Sequence, residues 1–269
     1  MKFVKMHGLG NDFVIVDARG QRNQDFSHLA ILLGDRRRGV GYDQLAVILE
    51  SESCDAGLRF WNCDGSESAT CGNATRCVAR LLSEERRQAQ VVLETPRGHL
   101  ICESVGDGRF RVNMGHPEFA WQDIPLATAS DTLHLPLENN PTALSLGNPH
   151  CIFFVPDIDL VELENVGPRI ERHALFPERT NVEFVEVKSD GRLRMRIWER
   201  GAGITLASGS GACAAAVAAS RRGLSARCVP VETDGGILEI DWQESGVWKT
   251  GPTAFVFEGI LSAELGVEL

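Results

Sequence analysis

The sequence predicts an α+β fold of two pseudo-symmetric domains from an internal duplication, each a β-sheet curled around a central helix. The first observation behind this is a repeat at a fixed offset of 137 residues. Ser208 follows Cys71 and Gly209 follows Gly72 at that distance, and Leu9-Gly10-Asn11 returns as Leu146-Gly147-Asn148. Gln44 lines up with Asn181 and Asn62 with Glu199, while Glu94-Thr95 returns one residue later as Glu232-Thr233. Two copies of so long a period signal two like domains rather than a stacked solenoid, and 269 residues suffice for two ordinary cores. The second observation is one Ala-rich, nearly apolar helix per copy, entered from a strand through a small-residue loop: NCDGSESATCGNATRCVAR at 62–80 and ERGAGITLASGSGACAAAVAAS at 199–220. A helix with no polar face must be buried all round, so each sheet is expected to curl about its helix.

The elements follow in order. Residues 2–6 and 12–17 read as strands joined at His7-Gly8-Leu9-Gly10-Asn11, where Gly and Asn supply positive φ cheaply. Phe26 to Arg36 has helical spacing, and Arg36-Arg37-Arg38 reads as its solvated end, favoured by the helix dipole. Strands at 45–49 and 57–61 lead to a helix from Asn73 to about Leu82. Alternation then gives strands at 91–95, 98–105 and 109–113, the last two around Gly106-Asp107-Gly108. Residues 115–137, richer in Pro, Asp and Thr, mark the crossing between halves. The second half repeats the plan, with strands near 142–147, 151–155, 182–187 and 192–198, a helix near 209–222, and strands near 228–232 and 237–241. A final run, Ala254 to Phe257, has no clear counterpart and could return to the first domain. The expected division is 1–116 and 117–257, with 258–269 returning to the first domain.

Composition narrows the function. With 27 basic against 37 acidic residues the net charge is −10, without a basic stripe, which argues against nucleic acid or anionic membrane as partner. No apolar run reaches the ~18 residues of a membrane span, and MKFVKMHGLGNDF lacks the apolar core of a signal peptide. A cytoplasmic location is expected. Eight cysteines are scattered with no C-x-x-C pair, so neither zinc nor disulfides are expected. No dinucleotide fingerprint, P-loop or HExxH occurs, which favours a reaction without cofactor.

Cys71 stands at a helix N-terminus, where orphan N–H groups and the dipole favour a thiolate. A small buried core thiol is the other fate open to it. Two like domains meeting face to face would bring two helix N-termini to one cleft, each with a potential acid–base group. That arrangement suits removing a proton from one face of a carbon and delivering one to the other, with donors for a carboxylate on which charge grows.

At these residues the sequence resembles the diaminopimelate epimerases, over essentially its whole length. The motifs are HGLGNDF at 7–13, NCDGS with CGN at 62–73, GNPH at 147–150, TNVEF at 180–184 and ERGAG at 199–203. The resemblance implies no metal, no pyridoxal phosphate, and two cysteines acting as base and acid to interconvert LL- and meso-2,6-diaminopimelate on the route to lysine and peptidoglycan. It makes Cys71 one catalytic cysteine, and matches Asn11, Gln44, Asn62, Gly72, Asn73, Asn148, Asn181, Glu199, Arg200, Gly209 and Ser210 to substrate-binding positions. His150 and Glu199 match residues that tune the site. Arg200 could form a surface ion pair, but after a Trp-ended strand it better suits bidentate carboxylate binding. His150 could be a satisfied core histidine, and Asn11, Asn148 and Asn181 could be turn residues. The partner implied is a small amino acid; a homodimer is compatible with the family.

One departure matters. The second cysteine of the family falls at position 208, where this chain has serine, and Cys213 lies more than a turn further along its helix. Ala74 also stands where glycine is usual. A hydroxyl is a far weaker acid than a thiol, whose free pKa is about 8.5, so Ser208 is expected to impair two-base epimerisation. Either a Cys→Ser change sits in a true epimerase, which the completeness of the other motifs favours, or the chemistry is one-sided. Alternatives of other classes are a related amino-acid racemase, a one-base lyase using Cys71, and a non-catalytic amino-acid-binding homologue.

Overall fold

Two helices organise the chain, and each is held by the strands of its own half. The computed structural model describes residues 1–21, 25–68 and 71–262. They form two units, residues 1–112 together with 251 onward, and residues 113–250. The second unit was expected to run to 257; it ends at 250 because the last strand pairs within the first. Residues 263–269 of the expected returning segment lie outside the described residues.

The first unit opens with β1 (Lys2–Gly8) and β2 (Asn11–Asp17), an antiparallel pair joined at Leu9 and Gly10, both with positive φ. Then come α1 (Ser27–Gly34), β3 (Gln44–Leu49), β4 (Ala56–Asn62), the short β5 (Glu67–Ser68), α2 (Gly72–Arg86), β6 (Gln90–Thr95), β7 (Gly98–Gly106) and β8 (Arg109–Asn113). β3 runs parallel to β2, with Phe13 beside Gln44, and antiparallel to β4, with Gln44 beside Asn62. β6 lies parallel to β4, and β7 and β8 continue antiparallel. α2 packs on β1, β2, β3, β6 and β7, which is the curl the apolar helix required. Asn73 to Ala79 are buried, whereas Glu84, Glu85 and Arg86 are exposed, so the last turn does have a polar side. Arg87 stops the helix in the left-handed conformation, its N–H bonding Ser83 O. On the outer face Phe26, Leu29, Ala30 and Leu33 cover Val14, Val16, Leu45, Val47 and Trp61. α1 ends at Gly34, so the arginine triplet is not a helix end. Arg36 instead sits 2.8 Å from both Asp12 and Asp43.

The second unit holds β9 (Thr142–Ser145), β10 (Pro149–Phe154), α3 (Leu163–Glu171), β11 (Asn181–Val187), β12 (Leu193–Glu199), β13 (Gly203–Ile204), α4 (Gly209–Arg221), β14 (Cys228–Thr233), β15 (Gly236–Gln243) and β16 (Gly246–Pro252). The register repeats that of the first: His150 beside Asn181, Val182 opposite Trp198. The parallel contact of β12 with β14 aligns Leu193 with Val231, where β4 and β6 align Ala56 with Leu93. The extra residue in that second pairing is the one-residue shift seen in the repeat. Every side chain from Ala212 to Ala219 is buried, and α4 packs on β9, β10, β11, β12, β14 and β15. β17 (Ala254–Ile260) then pairs with β1.

The short pairs β5 and β13, the strand β16 and the helix α3 have no counterpart among the expected elements. β16 is the counterpart of β8, and α3 lies 136 residues after α1 at its start and 137 at its end. Gly167 and Pro168 mask the helical pattern of α3, yet Gly167 is what lets the helix close on β12. A Cβ there would lie 2.6 Å from Cγ of Trp198. Gly167→Ala should therefore destabilise the protein by about 1–3 kcal/mol through overpacking. Urea unfolding reads this, and an unchanged midpoint would remove Gly167 from the packing argument.

Candidate active site

In the first unit Cys71, Gly72 and Asn73 form the head of α2, and two amide pairs hold the other candidate residues. Cys71 is the N-cap, extended at φ −149° and ψ 93°, with its carbonyl accepting from both the N–H and the hydroxyl of Thr75. Asn73, the second residue of the helix and buried, donates through Nδ2 to Asn11 Oδ1 at 3.2 Å. Asn11 in turn donates to Asp43 Oδ2 at 2.8 Å, and Asp43 is held by Arg36. Gln44 donates to Asn62 Oδ1 at 3.0 Å, and Asn62 to Ser66 Oγ at 3.0 Å. Asn11, Gln44, Asn62 and Asn73 are thus two amide pairs, each braced by a residue that sequence reasoning passed over: Asp43 next to Gln44, and Ser66 in the NCDGS loop. Cys77 lies nearly two turns into the same helix. Burial pushes its thiol up to about 12.

In the second unit the equivalent place is the head of α4. Ser208 is the N-cap at φ −114° and ψ 123°, and its Oγ accepts from Gly211 N at 3.3 Å. The same hydroxyl donates to Glu199 Oε2 at 3.2 Å, and Thr205 donates to Glu199 Oε1 at 2.5 Å. A Cβ on Gly209 would lie 2.1 Å from the Nζ of the fully buried Lys249, so any larger residue there would displace the end of that side chain. Asn148 Nδ2 points to Ser210 Oγ at 3.4 Å, and its Oδ1 lies 3.1 Å from His150 Nε2. His150 Nδ1 lies 2.6 Å from Oε1 of Glu183. Asn181 donates to Pro149 O at 2.9 Å and accepts the Arg200 N–H at 2.9 Å. The Arg200 side chain is exposed and donates to Glu178 O at 3.2 Å. Thr205 and Glu183 were the residues missed here. Glu183 sits inside the TNVEF motif and two residues after Asn181, hence on the same face of β11.

Burial pushes the Glu183 carboxyl up, with His150 opposing the shift. Burial likewise raises Glu199, opposed by the hydrogen bonds from Thr205 and Ser208 and by His150. No group of three or more His, Cys, Asp or Glu side chains able to hold a metal ion occurs among the described residues. Both raised carboxyls bind protons more tightly in the folded chain than in the unfolded one. Their contribution to stability is full below the usual carboxylate value of about 4.3 and declines as pH rises through the raised folded values. Denaturation at pH 5 and pH 8 should therefore show the wild type losing more stability across that interval than Glu183→Gln. Parallel losses in the two proteins would contradict the raised carboxyl.

The similarity of this chain to known proteins spans both units. The diaminopimelate epimerase family profile matches residues 3–120 and 142–256. The chain is 48% identical over 268 residues to the diaminopimelate epimerase of Acidiphilium cryptum, covering 98% of this chain and 97% of that one. It is also 48% identical over 272 residues to the diaminopimelate epimerase of Rhodospirillum centenum, covering 98% and 93%. A crystal structure of a probable proline racemase from Agrobacterium radiobacter superposes with a TM-score of 0.70 at 16% identity, over 97% of this chain and 92% of that one, which shows a shared fold. The repeat, the two helices enclosed by like-registered strands and these matches together place the chain in the diaminopimelate epimerase family.

Proposed function

We propose that the chain epimerises LL-2,6-diaminopimelate to the meso form without a cofactor, in the cytoplasmic supply of lysine and peptidoglycan precursors. The observation that carries this is the matched pair of N-caps, Cys71 on α2 and Ser208 on α4, in a member of this family. Each helix supplies one acid–base group and a first turn of backbone N–H groups. Those donors suit a carboxylate whose negative charge grows as the α-proton leaves. In this reading Cys71 takes the proton from one face of the α-carbon and the carbanion is reprotonated from the Ser208 side. Asn11, Gln44, Asn62, Gly72, Asn73, Asn148, Asn181, Glu199, Arg200, Gly209 and Ser210 bind the two amino-acid ends. His150 and Glu199 tune the Ser208 side, where the carboxyl of Glu199 accepts the Ser208 hydrogen bond.

A hydroxyl carries a proton less readily than a thiol, so turnover is impaired by Ser208 while binding is retained. Ser208 thereby also supports the second reading, one-sided chemistry at Cys71. Restoring the thiol separates the two. Ser208→Cys should raise formation of meso product, followed by chiral chromatography, by about 10²–10⁴-fold, the usual weight of one general acid–base group. Its affinity for diaminopimelate should stay within about tenfold, under ~1.4 kcal/mol, because the binding contacts lie away from the transferred proton. A folded Ser208→Cys protein that binds but does not epimerise would sink the two-base reading.

The proposal includes a homodimer. Phe255, Val256, Phe257 and Ile260 are exposed on β17, whose only strand partner among the described residues is β1. Sedimentation should give twice the chain mass, and Phe257→Asp should lower it to that of one chain. A monomeric wild type would remove this part.

A further inference from the structure

A buried acid–imidazole pair occupies the second unit where the first has only apolar side chains. His150 on β10 and Glu183 on β11 are both fully buried, with Nδ1 and Oε1 2.6 Å apart. The positions 137 earlier are Phe13 and Ala46, buried on the same strands of the first unit. A sheet of this register therefore closes well without an ionisable pair. The pair also lies under the head of α4: a Cβ on Gly211 would be 3.1 Å from Glu183 Oε1 and 3.2 Å from Ser208 Cβ.

The orientation of the Asn148 amide, with Nδ2 toward Ser210 Oγ and Oδ1 toward His150, sets where the hydrogens are. Oδ1 of Asn148 can only accept, so the Nε2 of His150 facing it at 3.1 Å carries a hydrogen. Nδ1 faces a carboxyl oxygen. A carboxylate there requires a second hydrogen on the ring, whereas a carboxylic acid donates its own to a bare Nδ1. In both cases the pair holds one proton more than a carboxylate beside a neutral ring. The acid form is the cheaper one in this place, because Oε2 of Glu183 is buried with no hydrogen-bond partner among the described residues. The upward push of burial on this carboxyl runs the same way.

We propose that Glu183 is a positioning residue of the reaction: its bond to Nδ1 of His150 keeps a hydrogen on Nε2, which grips Asn148 by its carbonyl oxygen and turns that amide's N–H groups toward Ser210 and the substrate. Without Glu183 the hydrogen can move to Nδ1. Asn148 then turns over to donate to the bare Nε2, and offers its carbonyl oxygen where a substrate carboxylate needs a donor. The ligand in this argument rests on the epimerase reading, but the placement of the hydrogen does not.

Two measurements test it. The wild-type protein labelled with ¹⁵N-histidine, without ligand and at neutral pH, should show His150 protonated at Nε2 in two-bond N–H correlation spectra. A bare Nε2 overturns the proposal, whatever the protein's activity. Calorimetric titration with meso-diaminopimelate then compares two variants of folded protein. Glu183→Gln, whose amide N–H can donate to Nδ1 as the acid does, should keep the Nε2 hydrogen and wild-type affinity. Glu183→Met, of similar length but without a donor, should lose both, with affinity falling about tenfold as for one lost hydrogen bond to a charged ligand. Wild-type spectrum and affinity in Glu183→Met overturn the proposal. Absence of diaminopimelate binding to the wild type would instead count against the epimerase reading, with the ring spectrum still deciding the role of Glu183.

Discussion

The enclosure of a helix by the strands of its own half is the constraint from which the rest follows. α4 is buried on all sides from Ala212 to Ala219, and only small side chains allow strands to approach a helix from so many directions. Such a helix cannot expose a polar face, so its contact with polar chemistry is limited to its ends. At the N-terminal end the first N–H groups have no partner in the helix, and the N-cap residue sits among the ends of the surrounding strands. That is why the groups around Cys71 and around Ser208 come from strand termini and the loops that follow them: Asn11, Gln44 and Asn62 in one unit, Asn148, Asn181 and Glu199 in the other.

The duplicated scaffold carries unlike chemistry in its two copies. The first unit carries the amide pairs Asn73–Asn11 and Gln44–Asn62, and the charged groups Asp12, Asp43, Arg36 and Lys5 form an ion-pair cluster, with Asp43 accepting from Asn11. The second unit replaces Phe13 by His150, Ala46 by Glu183 and Asn62 by Glu199. His150 and Glu183 lie in a chain of hydrogen bonds that reaches Ser210 through Asn148, Glu199 lies in another with Thr205 and Ser208, and none has a salt-bridging arginine or lysine among the described partners. Buried carboxyls without a cation are pushed toward the neutral form. Burial thus favours the protonated carboxyl at Glu183 and Glu199 in the second unit, whereas the first carries amide pairs at the corresponding places.

Most of the longer strands, the two central helices, the duplication and its register were legible in the sequence because they are set by periodicity and by small-residue loops that recur at a fixed distance. The candidate residues were legible for the same reason: Asn11 and Asn148, or Asn62 and Glu199, stand at matched offsets in motifs specific to one family. α3 was hidden because Gly167 and Pro168 break its helical pattern, although the offset from α1 points to it. The arginine triplet was misread as a helix end because local charge says nothing about a carboxylate 24 residues away.

What the sequence by itself determined is the architecture, the family and the identity of the N-caps, all consequences of local pattern and repetition. What only the tertiary structure decided is how those residues are wired. Asp43 braces Asn11, Thr205 and Ser208 share the carboxyl of Glu199, and Glu183 reaches the ring of His150. The last of these bonds joins residues 33 apart in the chain, and its strength depends on the exclusion of water from both. Burial and hydrogen-bond geometry exist only once the parallel strands β10 and β11 are side by side, so no reading of the chain in one dimension contains them.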